Sequence, residues 1–175
     1  VFRDNGYPAY AVGKLHVFPQ RDRIGFDEVI LAEEGRYEFG VVDDYQAWLG
    51  ENGYVGQDFM HGMGNNNYLT RPWHLDERAH PTTWVTTQMM KTIKRLDPTC
   101  PAFLYRSYAF PHPSLVPLQQ FWDMYDDAEL CALTVQDWLD DRSIFDALPE
   151  PEIYYSEKER GHAQRACYVQ CAHTD

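Results

Sequence analysis

The sequence predicts an α/β fold, because strand-like and helix-like segments alternate along the chain. Three observations support this class. A short apolar run ends at Gly13, an amphipathic pattern covers residues 82–96, and an aromatic-rich run covers residues 102–110 between prolines. Strand, helix and strand in this order are expected of an α/β protein.

Composition limits the possible classes. With 175 residues, 44% of them hydrophobic, the chain is long enough for one folded domain with a substantial core. Its formal net charge of −12 disfavours nucleic acid or an anionic membrane as a partner. No apolar run approaches the length needed to span a bilayer. Because helix-like patterns stand at both ends, we expect an internal piece of a longer protein, whose localisation is open.

The first half of the chain contains two short strands and a helix. Residues 7–17 are predicted as the first strand and its loop, and residues 25–31 as the second strand. Asp43 and Asp44 precede residues 45–49, and we interpret them as the N-cap and first-turn charge of a short helix rather than as metal ligands. Residues 50–70 are rich in Gly and Asn and are predicted to form a long loop.

The clearest helix begins at Pro81. Apolar residues recur at four positions along one face, and both methionines of this segment are assigned to the core. The stripe consists of Val85, Met89, Ile93 and Leu96. His80, directly before the helix, has two possible roles: it caps or packs the helix start, or it lines a substrate cleft.

The second half contains a strand, an irregular segment and a last helix. The strand at residues 102–110 leads into a proline-rich turn that contains His112. Residues 126–151 are acidic and are predicted as loop and short helix on a solvated face. Ser156 is predicted to cap the last helix. Cys167 and Cys171 lie one turn apart on it, and we assign them to an apolar face; the redox state of the four cysteines is open.

Two places carry side chains suited to binding an anion. Lys14 and His16 follow the first strand, and strand alternation would point them the same way. His112 follows the strand at residues 102–110. Since ligand groups gather beyond the carboxyl ends of strands in open α/β sheets, we expect the three to converge if those strands are parallel neighbours.

The same residues resemble a known family. Gly6-Tyr7 followed by Gly13-Lys14-x-His16 resembles the second signature of the sulfatases, in the alkaline-phosphatase-like superfamily, with Ala9 where that family usually has Thr. The segment Phe110-Pro111-His112-Pro113 resembles the family's Pro-His-x-Pro segment. The resemblance implies an alkaline-phosphatase-like sandwich with a mixed, mostly parallel sheet flanked by helices.

The resemblance also implies an activity and roles for individual residues. Sulfatases hydrolyse sulfate esters with a formylglycine nucleophile beside a calcium ion. By this likeness, Lys14 binds the sulfate oxygens, His16 contacts the formylglycine, and His112 contacts the sulfate and protonates the leaving oxygen. His80 is a candidate substrate-binding residue. The chain has no Cys/Ser-x-Pro-x-Arg motif, and we predict no metal ligands within it.

On this interpretation, residues 1–175 are part of a single sulfatase catalytic domain without its nucleophile and C-terminal metal-ligand segments. The substrate would be a small sulfate ester or a sulfated glycan. Two alternatives stay open. One is a phosphonate monoester or phosphodiester hydrolase of the same superfamily, and the other is a non-catalytic protein that binds sulfated ligands.

Overall fold

A computed structural model describes residues 1–34, 42–64, 67–131 and 156–175. Two short 3-10 turns, three strands and four α-helices are present in these ranges. In chain order they are a turn at Arg3–Asn5, β1 at Ala9–Gly13, β2 at Glu28–Leu31, α1 at Asp44–Glu51, a turn at Glu77–Ala79, α2 at Pro81–Arg95, β3 at Phe103–Ser107, α3 at Gln119–Asp123 and α4 at Glu157–Thr174.

The three strands form one parallel sheet in the order β2-β1-β3. In the register, Gly13 at the end of β1 lies opposite Leu31 of β2 and Ser107 of β3. The carboxyl ends of all three strands therefore meet at one edge of the sheet. The α/β class is confirmed, and the first and last strands are parallel neighbours, which is the condition on which the expected convergence of the site residues depended.

The central strand is β1, and its Ala9, Ala11 and Val12 side chains are almost completely buried. Burial on both faces is typical of a parallel strand covered by helices. The strands are shorter than the sequence predicts. The second begins only at Glu28, since a turn that joins the Phe26 N–H to the Arg23 carbonyl precedes it.

The helix α1 forms as predicted, with Asp43 as its N-cap and an Asp43 Oδ1 to Gln46 N distance of 2.7 Å. Helix α2 begins at Pro81 and ends at Arg95, also as predicted. The prediction of its apolar stripe is correct only for the first half of the helix.

The buried face of α2 consists of Thr82, Trp84, Val85, Met89 and Thr92. Ile93 and Met90 are about half exposed, so their assignment to the core is wrong. At 3.6 residues per turn, a residue eight positions after Val85 is rotated by about 80°, whereas one seven positions later is rotated by only about 20°. Thr92 therefore continues the stripe that begins at Val85.

The core lies between α1, α2, the sheet and the segment after β3. The Tyr45 hydroxyl of α1 crosses it and donates to the Ala79 carbonyl at 2.6 Å. Helix α4 begins with the predicted cap, in which Ser156 and Glu159 bond each other's backbone N–H groups. Cys167 is half-buried on α4, but Cys171 is exposed, so its place on an apolar face is wrong.

Two expectations fall partly on residues that are not described. Most of the acidic stretch at residues 126–151 and two positions of the Gly/Asn-rich loop at residues 50–70 lie outside the described residues. In the described ranges, no helix is long and apolar enough to cross a membrane.

Candidate functional site

The candidate site lies at the carboxyl edge of the sheet, where the loops after all three strands meet. Lys14 directly follows β1, and its backbone N–H donates to the Ser107 carbonyl at the end of β3, at 3.1 Å. Glu34 lies three residues after β2, and His112 lies five residues after β3. The register of the strands thus brings two cation-forming side chains and one carboxylate together.

Gly13 makes this convergence possible. A Cβ atom built on Gly13 would lie 1.8 Å from the Ser107 carbonyl oxygen, and the residue has φ of +111°. Only glycine adopts this backbone conformation without strain and leaves room for so close an approach. The glycine of the Gly-Lys-x-His motif therefore allows β1 and β3 to stay paired up to the point where Lys14 leaves the sheet.

Glu34 joins Lys14 to His112. The Lys14 Nζ donates to Glu34 Oε2 at 2.7 Å, and Glu34 Oε1 lies 3.6 Å from His112 Nδ1. The Lys14 and Glu34 side chains are only 15% and 11% exposed. At such partial burial, the charges are less screened than in a surface ion pair.

The surroundings of His112 orient its ring. Its Nδ1 contacts the carbonyl oxygen of Pro113 as well as facing Glu34, so two acceptors lie on the same side of the imidazole. An Nδ1 that faces two acceptors carries the proton. The Nε2 atom is then the one left to exchange a proton with a ligand.

His16 is positioned through its backbone. Its N–H donates to both carboxylate oxygens of Glu33, at 3.0 and 3.1 Å, and the Leu15 N–H donates to Glu33 Oε1 at 2.7 Å. His16 has φ of +56° and is exposed. Strand alternation therefore does not relate it to Lys14, since β1 already ends at Gly13.

Carboxylates that accept hydrogen bonds from backbone N–H groups hold this loop in place: Glu33 and Asp43 are buried, and Asp44 is partly buried. Glu33 is 3% exposed, and its N–H donates to Asp43 Oδ2 at 2.6 Å. Asp44 Oδ2 accepts from the Leu31 N–H at 2.7 Å. Burial is the main cause that raises the pKa of Asp43, and hydrogen bonds from the backbone of Gln46 and Glu33 oppose it. The Asp43-Asp44 pair is thus structural, as the sequence indicates.

His80 is a cap and core residue in this structure. It is completely buried, its Nδ1 accepts from the Thr82 N–H at 3.2 Å, and its Nε2 donates to the Val116 carbonyl at 3.2 Å. Burial lowers its pKa to about 3, with a further contribution from His173. Because both ring nitrogens are engaged inside the protein, we leave His80 out of the site.

A small cleft opens beside Glu34. It is lined mainly by apolar side chains, with the carboxylates of Glu34 and Asp58 and the ring of His61 at its wall. The aromatic members of the lining are Tyr45, Phe59, Trp73 and Phe110. Such a lining suits a flat or compact apolar group.

Sequence reasoning missed Glu33 and Glu34. They stand two and three residues after the strand at residues 25–31, and polar residues after a strand point to the ligand-binding edge of an α/β sheet. That signal was present in the sequence but does not show which acidic residue faces the lysine. The register of β2 against β1 decides it.

The residues described here do not fit the metal and the nucleophile that the resemblance implies. Within the described ranges, no group of three His, Cys, Asp or Glu side chains is arranged to hold a metal ion. The sequence also lacks the motif in which a formylglycine forms.

The chain is similar in sequence to one known protein and in fold to another. No protein-family model matches it. An arylsulfatase of Clostridium perfringens (strain 13 / Type A) is 33% identical in an alignment of 149 positions, and the match covers 78% of this chain and 31% of the arylsulfatase. The phosphonate monoester hydrolase SpPMH from Silicibacter pomeroyi has the same fold, with a TM-score of 0.66 and 18% identity, over 99% of this chain and 40% of the hydrolase.

The chain thus spans about a third of the length of the arylsulfatase that it matches. The likeness to the hydrolase concerns the fold, which is the alkaline-phosphatase-like fold that the sequence predicts. The likeness to the arylsulfatase extends over most of this chain. On these grounds, the chain belongs to the sulfatase family of the alkaline-phosphatase-like superfamily.

Proposed function

We propose that the protein containing this chain hydrolyses sulfate esters. The observation that carries the proposal is the 33% identity with an arylsulfatase over 149 residues. The geometry of the site is compatible with it, since Lys14 and His112 meet at one edge of the sheet around a single carboxylate. Aryl sulfates are the first substrates to test, because the adjoining cleft is lined mainly by apolar side chains.

In this proposal, Lys14 and His112 perform separate tasks. The Lys14 ammonium binds the sulfate oxygens and stabilises the negative charge that develops in the transition state. When the ester bond breaks, the leaving oxygen needs a proton. In this proposal His112 enters the step as the imidazolium and gives the Nε2 proton to that oxygen, while its Nδ1–H stays turned toward Glu34 and the Pro113 carbonyl. His16 stays a third candidate, at the same edge of the sheet.

We further propose that calcium and formylglycine, which the family likeness implies, are held by residues other than those described here. The hydrogen bonds of the carboxylates near the site support this assignment. The carboxylates of Glu33, Asp43 and Asp44 accept hydrogen bonds from backbone N–H groups. They stabilise the loops around Lys14 and are not grouped around a common point.

The test uses the full-length protein. We expect it to hydrolyse 4-nitrophenyl sulfate faster than a 4-nitrophenyl phosphonate ester. The variant Lys14→Ala should lose at least about a hundredfold in kcat/KM, as is typical for loss of a group that stabilises the transition state. Lys94→Ala, which removes an exposed lysine near the end of α2, is the matched control and should keep full activity.

A substrate series tests the role of His112. Loss of a general acid matters more when the leaving oxygen is more basic. The variant His112→Ala should therefore lose more activity on phenyl sulfate than on 4-nitrophenyl sulfate. Faster turnover of the phosphonate ester would favour the phosphonate-hydrolase alternative. Ligand binding without turnover would favour the non-catalytic one.

A further inference from the structure

We propose that Glu34 determines specificity by charge: its carboxylate, placed between Lys14 and His112, favours singly charged esters over doubly charged anions. The proposal rests on the proposed function, because it takes Lys14 and His112 as the groups that bind the anion. It adds a residue that the family signatures noted above do not contain. It also predicts which anions the site rejects.

The position of Glu34 supports this role. One carboxylate oxygen accepts from Lys14 Nζ at 2.7 Å, and the other lies 3.6 Å from His112 Nδ1. With 11% of its side chain exposed, Glu34 is shielded from much of the solvent. Its φ of +58° is uncommon for a residue with a side chain, and such backbone conformations cluster at functional sites.

The charges of the ligands explain why Glu34 would favour singly charged esters over dianions. A sulfate ester carries one negative charge, whereas inorganic sulfate and phosphate monoesters carry two near neutral pH. Lys14 contributes one positive charge, and Glu34 offsets it. An anion bound beside Lys14 also lies beside Glu34, and each negative charge it carries is repelled by the carboxylate. The repulsion is therefore about twice as large for the dianion.

Other carboxylates near the site have different contacts. Glu33 accepts from the backbone N–H groups of Leu15 and His16. Asp58, across the cleft, accepts from the Gln46 side chain at 2.9 Å. Among the described residues, Glu34 is the carboxylate that contacts both Lys14 and His112.

The repulsion by Glu34 affects both substrate binding and product release. A substrate with one charge enters a site whose cations are partly neutralised. The product, inorganic sulfate, gains a second charge and is repelled by Glu34. The carboxylate therefore promotes product release and excludes phosphate monoesters, at some loss of affinity for the substrate.

The test compares three variants of the full-length protein. In Glu34→Gln, we expect the competitive inhibition constant of inorganic sulfate to fall about tenfold, while KM for 4-nitrophenyl sulfate falls about threefold. Glu34→Asp keeps the charge and should retain discrimination close to that of the wild type. Glu28→Gln, at the other end of β2, makes the same charge change far along the strand and should alter neither constant.

Two results would overturn the proposal. One is an equal change of both constants in Glu34→Gln, and the other is a change no larger than that of Glu28→Gln. If the wild-type protein hydrolyses no sulfate ester, the proposed function fails, but the charge effect is still measured by calorimetric titration with inorganic sulfate. Tighter binding by Glu34→Gln then supports the role of Glu34, and unchanged binding contradicts it.

Discussion

The substitution Gly13→Ala tests how the fold positions the site. A Cβ at this residue would lie 1.8 Å from the Ser107 carbonyl oxygen and 2.8 Å from its carbon. Those atoms belong to backbone and cannot rotate away. To accept the methyl group, β1 and β3 must separate at their carboxyl ends, where the Lys14 N–H bonds the same Ser107 carbonyl.

Two contributions lower the free energy of unfolding of Gly13→Ala. A side chain at φ of +111° adds about 1–3 kcal/mol of backbone strain. Loss of one or two backbone hydrogen bonds adds about 1 kcal/mol each. We therefore expect the free energy of unfolding to fall by about 3 kcal/mol, a large part of the 5–15 kcal/mol of an ordinary domain.

The assay is urea unfolding of the full-length protein, followed by circular dichroism and by activity. Gly161→Ala in α4 is the matched control, since its Cβ would meet no atom within 4 Å and its backbone is helical. That variant should gain about 0.5–1 kcal/mol. If Gly13→Ala is as stable as the wild type, the close approach of β1 and β3 is not required and our reasoning is wrong.

Three further predictions concern stability. Because burial lowers the pKa of His80 from 6.5 to about 3, the unfolded chain binds a proton that the folded chain does not. The free energy of unfolding should therefore fall as the pH drops below about 6.5, by up to about 1.4 kcal/mol per pH unit. The variant His80→Gln should flatten this slope, whereas the control variant His162→Gln, at an exposed histidine, should leave it unchanged. Trp84→Ala, at a buried position of α2, should cost about 3–5 kcal/mol, against less than about 1 kcal/mol for the half-exposed Ile93→Ala, both measured by urea unfolding. Ser156→Ala removes the cap of α4 and should cost about 1 kcal/mol, whereas Ser156→Asp should restore most of it.

Several features of the fold were predictable because they depend on short-range patterns. Pro81 fixes the start of α2, and Ser156 with Glu159 fixes the start of α4, since caps use neighbouring residues. The order of strand, helix and strand predicts the α/β class, and the convergence of Lys14 and His112 was expected on the condition that β1 and β3 are parallel neighbours. The structure, not the sequence, shows that this condition is met.

Other features depend on long-range geometry that local patterns do not contain. The role of Glu34 depends on the register of β2 against β1, which no local signal specifies. The backbone of His16 lies in the left-handed region, and its N–H is bound by Glu33, so strand alternation does not predict the direction of its side chain. His80 could be read as cap or cleft residue until the packing placed it in the core.

The most direct test of the account is a double-mutant cycle on the full-length protein. Lys14→Ala, His112→Ala and the double variant are compared in kcat/KM for 4-nitrophenyl sulfate. If both residues act on one bound ester, the loss in the double variant should be clearly smaller than the product of the single losses, since groups that act as a unit are not additive. Full activity in both single variants would contradict the central claim that these residues form one sulfate-ester site.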